Sequence, residues 1–312
     1  MKEKLKIDAH RATLKQLRAL TAVVRQGTFS AAAEALSVTP PAVTVQMKAL
    51  EELAGLSLVE RTREGLRPTD AGRVLLETAS RIEAALEECG EALDALHGVV
   101  GGRVSVGVIS TAKYFAPRAL AVFSRGHPNI EMRLSVGNRG ETVAALRDFQ
   151  LDFAVMGRPP EEFKVSNQEI GAHPHIVIAP PDHPMVSRRR IALAKLADET
   201  FLLREEGSGT RTLMQRIFAK QDLSPNLGME IGSNETIKQA VIAGLGIALI
   251  SAHTVAAELG DGRLAKLDIV GLPVVRKWYV VRRREKTLLP AAQALWDFLV
   301  EEGARFLPVA PK

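Results

Sequence analysis

The chain has 312 residues, 46% of them hydrophobic and 25% charged, with a net charge of +5. That length allows about two or three domains of ~100–150 residues, and no apolar run is long enough for a membrane-spanning helix. A sequence pI of about 9.4 favours polyanionic partners without proving one, while the single cysteine, Cys89, excludes an internal disulfide and suits a cytoplasmic protein.

The charged start, MKEKLKIDAHRATLKQL, lacks an apolar core and is not expected to be a secretory signal. Residues 1 to about 12 read as a solvated basic leader, in which Lys2, Lys4, Lys6 and Arg11 are alternative phosphate contacts. Leu14, Leu17, Thr21 and Val24 then space as one face of a helix, and Gly27 ends it.

Thr28 to Leu53, TFSAAAEALSVTPPAVTVQMKALEEL, reads as two helices joined by a tight turn. Thr28 or Ser30 caps the first helix, and Ala31, Ala32, Ala33 and Ala35 let the pair cross closely. Ser37, Val38 and Thr39 make the turn; Thr39 is a good N-cap, and Pro40 sits where its missing N–H costs nothing. Val43, Met47 and Leu50 form the buried stripe. Pro41, Thr44, Val45 and Lys48 then share the opposite face, small, partly polar and basic, as a helix entering a major groove requires. Thr28, Thr39 and Pro40, at the two helix starts, join them as DNA-facing candidates. Next, Leu58–Arg61 and Leu66–Pro68 flank a turn at Gly65, the wing of a winged helix-turn-helix, with Arg61, Arg63 and Arg67 as phosphate contacts.

Thr69 caps a long helix to about Leu96 whose apolar register is Leu75, Ala79, Ile82, Leu86, Cys89, Leu93, Leu96. Alternating steps of four and three make a heptad seam, so a partner helix and a dimer are expected. Cys89 on the seam reads as a small apolar residue rather than a redox sensor. Glu83, Glu87, Glu88, Glu91 and Asp94 keep the other faces wet, and Gly98, Gly101 and Gly102 end the helix as a hinge.

From Arg103 the pattern alternates β and α, giving a parallel α/β lobe: strand 104–109, helix to about Phe123, strand 132–136, helix 143–149, strand 151–156. The order recurs in strands 176–179 and 201–203, helix 212–220, strand MEI, helix 237–243 and strand 247–250. Segments 136–157 and 231–251 can be superposed, each with Glu-Thr at a helix start, Glu141-Thr142 and Glu235-Thr236. Two similar lobes follow. A strand at Lys277–Arg282 and a helix at Leu288–Leu299 return to the first lobe, with crossings near Ile170–His173 and Arg282–Lys286 and a ligand cleft between. The expected organisation is an all-α winged helix-turn-helix domain (1–69), a linker helix (70–98) and a two-lobed α/β effector domain, with lobe 1 at 103–172 and 283–312 and lobe 2 at 173–282.

The sharpest signal in that half is REEGSGTR, Arg204 to Arg211, between a strand and a helix. Glycines turn N–H groups toward a ligand, the helix N-terminus adds positive potential, and Arg204, Ser208, Gly209, Thr210 and Arg211 add donors. This is either an anion pocket for phosphate or carboxylate or an ordinary capping turn; the flanking strand and helix favour the pocket. Ser110-Thr111, Asn138 to Thr142 (with Glu141) and Ser233 to Thr236 (with Asn234 and Glu235) occupy corresponding loops of the same cleft. Arg158 either crosses the hinge to an acidic ligand or is a solvated loop arginine. His173, His175 and His183 have no completing Cys or carboxylate cluster, so no metal is expected, and Arg188-Arg189-Arg190 reads as a surface turn. No GxSxG, HExxH or P-loop is present, so no catalysis and no cofactor are expected.

These residues carry a family likeness. FSAAAEALSVTPPAVTVQMKALEE, LVERTREGLRPTDAG and the long helix resemble the DNA-binding half of LysR-type transcriptional regulators, and the remainder resembles their effector domain, similar to periplasmic binding proteins. GRPP, REEGSGTR and SNETIKQAVIAGLGIALIS resemble the branch that regulates carbon-fixation (RuBisCO) operons. The resemblance implies a cytoplasmic activator, tetrameric through its linker helices, that bends an inverted repeat of duplex DNA, with RNA polymerase as a candidate partner. It implies that Pro40, Pro41, Thr44 and Val45 reach bases, while Arg61, Thr62 and Arg63 approach the backbone. Val45 replaces the family's more frequent polar residue and is suited to a thymine methyl. A phosphorylated sugar or a nicotinamide nucleotide is the implied effector. The rival is a two-lobed small-molecule binding protein or a phosphate-handling enzyme; the helix-turn-helix argues against it.

Overall fold

Thr13 and Gln16 close a capping box that starts helix α1 (Leu14–Gln26) in the computed structural model, which describes residues 11–63, 65–96 and 101–309. Lys2, Lys4 and Lys6 of the basic leader, Gly98, and the side chains of Glu88, Glu91, Asp94 and Leu96 lie outside what is described. Two units follow one another, divided after Leu93.

In the first unit, α1 packs on α2 (Phe29–Ala35) and α3 (Pro40–Ala54), and the alanines predicted to permit close crossing include the buried Ala32 and Ala33. The register expected for α1 shifts. Leu17, Leu20 and Val23 are buried with Ala19 and Ala22, whereas Thr21 is exposed and donates its hydroxyl to the Leu17 carbonyl (3.0 Å). That bond satisfies Thr21 at the helix margin, so the wider stripe around Leu20 meets both neighbours. Strands β1 (Val59–Thr62) and β2 (Gly65–Pro68) form the expected antiparallel wing, and the Leu66 N–H ties it to the Gly27 carbonyl (2.9 Å).

Thr69 caps α4 (Asp70–Leu96) through its hydroxyl, which accepts the Gly72 N–H (3.1 Å). The seam divides. Leu75, Ala79 and Ile82 pack into the unit's own core, but Leu86 (43%), Cys89 and Leu93 (51%) are exposed. Arg18 on α1 grips Glu83 bidentately at 2.6 and 3.0 Å; an exposed pair of this kind contributes ~0.2–1 kcal/mol, so the Ala79 packing dominates the attachment.

The second unit alternates as predicted: β3 (Gly102–Ile109), α5 (Ala116–Gly126), β4 (Ile130–Gly137), α6 (Arg139–Arg147), β5 (Phe153–Met156), β6 (Val165–Ala179), β7 (Thr200–Arg204), α7 (Gly209–Ala219), β8 (Asn226–Ile231), α8 (Asn234–Ile242), β9 (Ala248–Ser251), α9 (Ala256–Gly260), β10 (Ala265–Lys266), β11 (Val274–Arg283) and α10 (Pro290–Glu302). In lobe 1, β3 lies parallel between β4 and β5; in lobe 2, β7 pairs parallel with β8 and bridges to Ile247 beside β9. The two Glu-Thr pairs are offset by one residue. Glu141 is the third residue after its N-cap Asn138, and Glu235 the second after Ser233.

The connections differ from expectation in length. β6 is one long strand through both lobes; β11 pairs with it from Val165 to His175, and β9 and β10 take its far end. Tyr279–Val281 already pair with β5, so the return crossing lies at the irregularity between Trp278 and Tyr279, earlier than Arg282–Lys286. The ladder holds both strands to Arg283, which the local sequence alone does not reveal. Trp278, fully buried at this point, packs edge-on against Phe115 and stacks on His173 (3.8 Å between centroids). No helix among the described residues is long and apolar enough to cross a membrane.

Candidate functional site

In the first unit, Val43, Met47 and Leu50 are buried, which leaves Pro40, Pro41, Thr44, Val45 and Lys48 exposed. Thr39 is the N-cap by position, with no side-chain bond to the helix; Thr28 caps α2 by accepting the Ala31 N–H (3.2 Å). Thr44 donates its hydroxyl to the Pro40 carbonyl (3.0 Å). Its oxygen is then left to accept a hydrogen bond, the complement of a base amino group. Val45 is 61% exposed and offers only methyls. On the wing, Arg61, Arg63 and Arg67 are exposed, and Thr62 is half-buried with its hydroxyl on the Gly65 carbonyl (2.9 Å).

In the second unit a recess of about 30 Å³, room for one or two water-sized groups, lies between the lobes. Of the predicted residues, Ser110, Thr111, Asn138, Arg158, Arg204, Ser208, Gly209 and Thr210 line it. Five do not. Glu141 completes a capping box with Asn138, and Thr142 turns its hydroxyl to the Asn138 carbonyl (2.8 Å). Arg211 donates to the Arg204 carbonyl (3.2 Å) and pairs with Glu230. Asn234 accepts from Arg204 and Glu235 accepts from Tyr114, so both serve the wall from behind.

Arg204 is only 3% exposed, and its donors are nearly all used. Glu205 takes two (2.7 and 2.8 Å), Asn234 one, and Ser110 across the cleft one (3.1 Å). Of five guanidinium N–H groups, that leaves one. Arg204 is therefore a clasp between lobes more than an open anion ligand. Tyr114 to Glu235 and the Gly140 N–H to the Gly207 carbonyl (3.2 Å) are further contacts across the cleft. Gly207 adopts φ +83° at that contact, a conformation open to glycine.

Four more residues line it: Arg139, which the sequence reading placed in the cleft only as part of the loop Asn138 to Thr142, His173 and His175, which it set aside as metal ligands, and Arg276, which it missed. Arg139 directly follows the cap already singled out; Arg276 sits on a strand with no local signal, and only the long β6–β11 ladder brings it to the cleft. His173 Nε2 lies 3.0 Å from Ser251 Oγ, and the Trp278 indole N–H donates to His253 Nδ1 (3.1 Å). Burial holds His173 well below the usual histidine range, and pushes His175 down to about 3 and His253 to about 4. All three are neutral at neutral pH. Gly157 makes room here: a Cβ there would lie 2.9 Å from His173 Nδ1. Two atoms in the recess wall, Thr111 Oγ1 and His173 Nδ1, are buried without a hydrogen-bond partner, as is Asn234 Nδ2 behind it. Buried polar groups in native proteins are normally paired, so Thr111 Oγ1 and His173 Nδ1 hold unused hydrogen-bonding capacity in the recess wall.

Residues 14–73 match the family described as "Bacterial regulatory helix-turn-helix protein, lysR family", and residues 97–304 match "LysR substrate binding domain". The chain is 54% identical over 301 residues to the HTH-type transcriptional regulator CbbR of Xanthobacter flavus, covering 96% of this chain and 90% of that protein. It is 44% identical over 293 residues to the RuBisCO operon transcriptional regulator of Allochromatium vinosum, covering 94% and 97%. Among solved structures, the regulatory domain of Synechocystis PCC6803 CcmR in complex with 2-PG is 38% identical, with a TM-score of 0.62 over 64% of this chain and 96% of that one.

Proposed function

The chain belongs to the LysR family of bacterial transcriptional regulators, and from that premise we propose that it activates a carbon-fixation operon in response to a small phosphorylated metabolite bound between its lobes. It is a regulator and not an enzyme. It acts in the cytoplasm on duplex DNA, as an assembly of identical subunits, with RNA polymerase as a further partner. A phosphorylated sugar or a nicotinamide nucleotide is the effector class, and no cofactor is required.

The orphaned Thr111 Oγ1 and His173 Nδ1 in the recess wall carry the effector reading. A neutral His173 presents one fixed donor or acceptor, Thr111 a hydroxyl, and the start of α7 its first-turn amides, a set that suits phosphoryl oxygens. A recess of about 30 Å³ admits such a ligand only as the lobes part about β6 and β11. Occupancy is thereby coupled to lobe angle, and the contacts from Arg204, Tyr114 and Gly140 are the ones exchanged. An effector shifts the assembly by its differential affinity for the two angles.

On DNA, α3 inserts Pro40, Pro41, Thr44 and Val45 toward base edges with Lys48 toward phosphate, and the wing arginines fix register. The exposed Leu86 and Cys89 suit a seam against a second copy. Thermal-shift screening of the full chain against phosphorylated metabolites tests the effector reading. A stabilising hit that also alters promoter binding supports it, and no stabilisation by any of them rejects it.

A further inference from the structure

Arg188-Arg189-Arg190 forms the surface turn expected from the sequence, and neither the face of α3 nor the recess between the lobes uses it. All three arginines are exposed, and among the described residues no carboxylate pairs with any of them.

The turn is fixed by its own bonds. His183, Val186 and Arg188 donate their amides to the carbonyls of Pro180 (3.1 Å), His183 (2.9 Å) and Met185 (3.1 Å). The His183 ring lies 3.4 Å from Glu199, and its Nδ1 accepts the Met185 N–H (3.3 Å). Met185 and Ile191, on either side of the run, are buried in the core of lobe 2, and the Ile191 N–H donates to the Asp268 carbonyl (2.8 Å). Between these anchors Arg190 adopts φ +49°, a left-handed conformation where a turn ordinarily carries Gly or Asn. Glycine would take this position with less strain, so what arginine adds there is its guanidinium.

An aliphatic patch borders the ridge. The Val270 N–H donates to the Ile191 carbonyl (2.9 Å), and Val270 is 52% exposed. Pro273 is exposed nearby in the chain, and the half-buried Val186 and Leu272 pack on the same core as Ile191. Contacts to nucleic-acid phosphates would use the charges and leave the aliphatic patch idle. An apolar centre beside a rim of arginine, rather than lysine, is the composition of a protein interface. A turn already held in one conformation loses little freedom on docking.

We propose that this ridge and patch are a docking surface for an acidic protein segment, whose carboxylates meet Arg188, Arg189 and Arg190 while an apolar side chain covers Val270. The surface shares no residue with α3 or with the recess.

The test is calorimetric titration of the full chain with two synthetic helical peptides and an operator-free DNA duplex. Both peptides carry leucines on one face; the other face carries glutamates in one peptide and glutamines in its match. The glutamate peptide should bind about tenfold tighter than the glutamine peptide, with the advantage shrinking as salt rises. Arg188→Ala with Arg189→Ala should erase most of that advantage, and Val270→Ser should weaken both peptides about threefold. Arg190→Gly, which relieves the positive φ, should weaken the glutamate peptide without lowering Tm. At physiological salt the duplex affinity should change less than about twofold in every variant. No binding of either peptide, equal affinity for the two, or a glutamate-peptide affinity untouched by the arginine or Val270 variants overturns the proposal. So does a duplex affinity that falls in step with the peptide's, which would make the ridge a nucleic-acid contact.

Discussion

Lowering the pH from 7 to 5 should destabilise the ligand-binding unit through its hinge histidines. His173, His175 and His253 are no more than 5% exposed, and burial keeps each neutral in the folded chain, with Arg276 reinforcing the effect on His173 and His175. The unfolded chain restores a value near 6.5. Below that pH the unfolded state binds more protons, so stability is complete above it and falls as the pH drops toward the folded values. For His175, with a folded value of about 3, integration from pH 7 to 5 gives a loss of about 2 kcal/mol. His253, at about 4, adds about 2 kcal/mol more. In a unit of this size each kcal/mol moves Tm by about 2–4 °C, so these two histidines predict a fall of roughly 8–16 °C. The window stays above the ordinary carboxylate range. Scanning calorimetry of the full chain at pH 7, 6 and 5 measures it, and His253→Gln, which keeps an acceptor for the Trp278 N–H, should flatten the slope. A transition that does not move between pH 7 and 5 would mean that these histidines titrate alike in the folded and unfolded chain.

Gly157→Ala drives a methyl to 2.9 Å from His173 Nδ1 and should abolish effector binding while promoter binding persists; calorimetric titration and gel mobility measure the two, and unchanged effector affinity counts against the recess. Thr44→Ala with Lys48→Ala should weaken promoter binding by tenfold or more, at ~1–3 kcal/mol for the base contact, and lower the salt slope by about one; unaltered anisotropy titrations discredit this face of α3. Leu86→Glu charges an already exposed seam position and should reduce the assembly's mass in sedimentation without lowering Tm of the DNA-binding unit; an unaltered mass removes the seam.

The helix-turn-helix, wing and linker were legible because their signals are local. Caps, turn residues and periodicity each act within a few residues, so Thr28, Thr69 and the stripe Val43, Met47, Leu50 could be placed from sequence. The α1 register slipped because Thr21 can satisfy its hydroxyl on its own helix, which apolar spacing does not register. In the cleft, the loops that follow strands were found, since a strand-to-helix turn announces itself. What those loops do was harder to read. Glu141 and Glu235 share a motif yet take different roles, one as a cap and the other as a partner of Tyr114 and Lys238. Arg204 read as an anion ligand, but its neighbour Glu205 already takes two of its donors. Arg276 carries no local signature because the 15-residue strand β6 and its antiparallel partner set its position.

On the proposed function, what closes between the lobes alters how α3 engages DNA. Fluorescence anisotropy of the full chain on a labelled carbon-fixation promoter fragment, across a salt series and with and without a phosphorylated metabolite that stabilises the chain, tests it most directly. Affinity should fall steeply with salt, and the metabolite should shift the curve in wild type but not in Gly157→Ala. Salt-insensitive binding, or identical curves with and without a metabolite shown to bind, would contradict it.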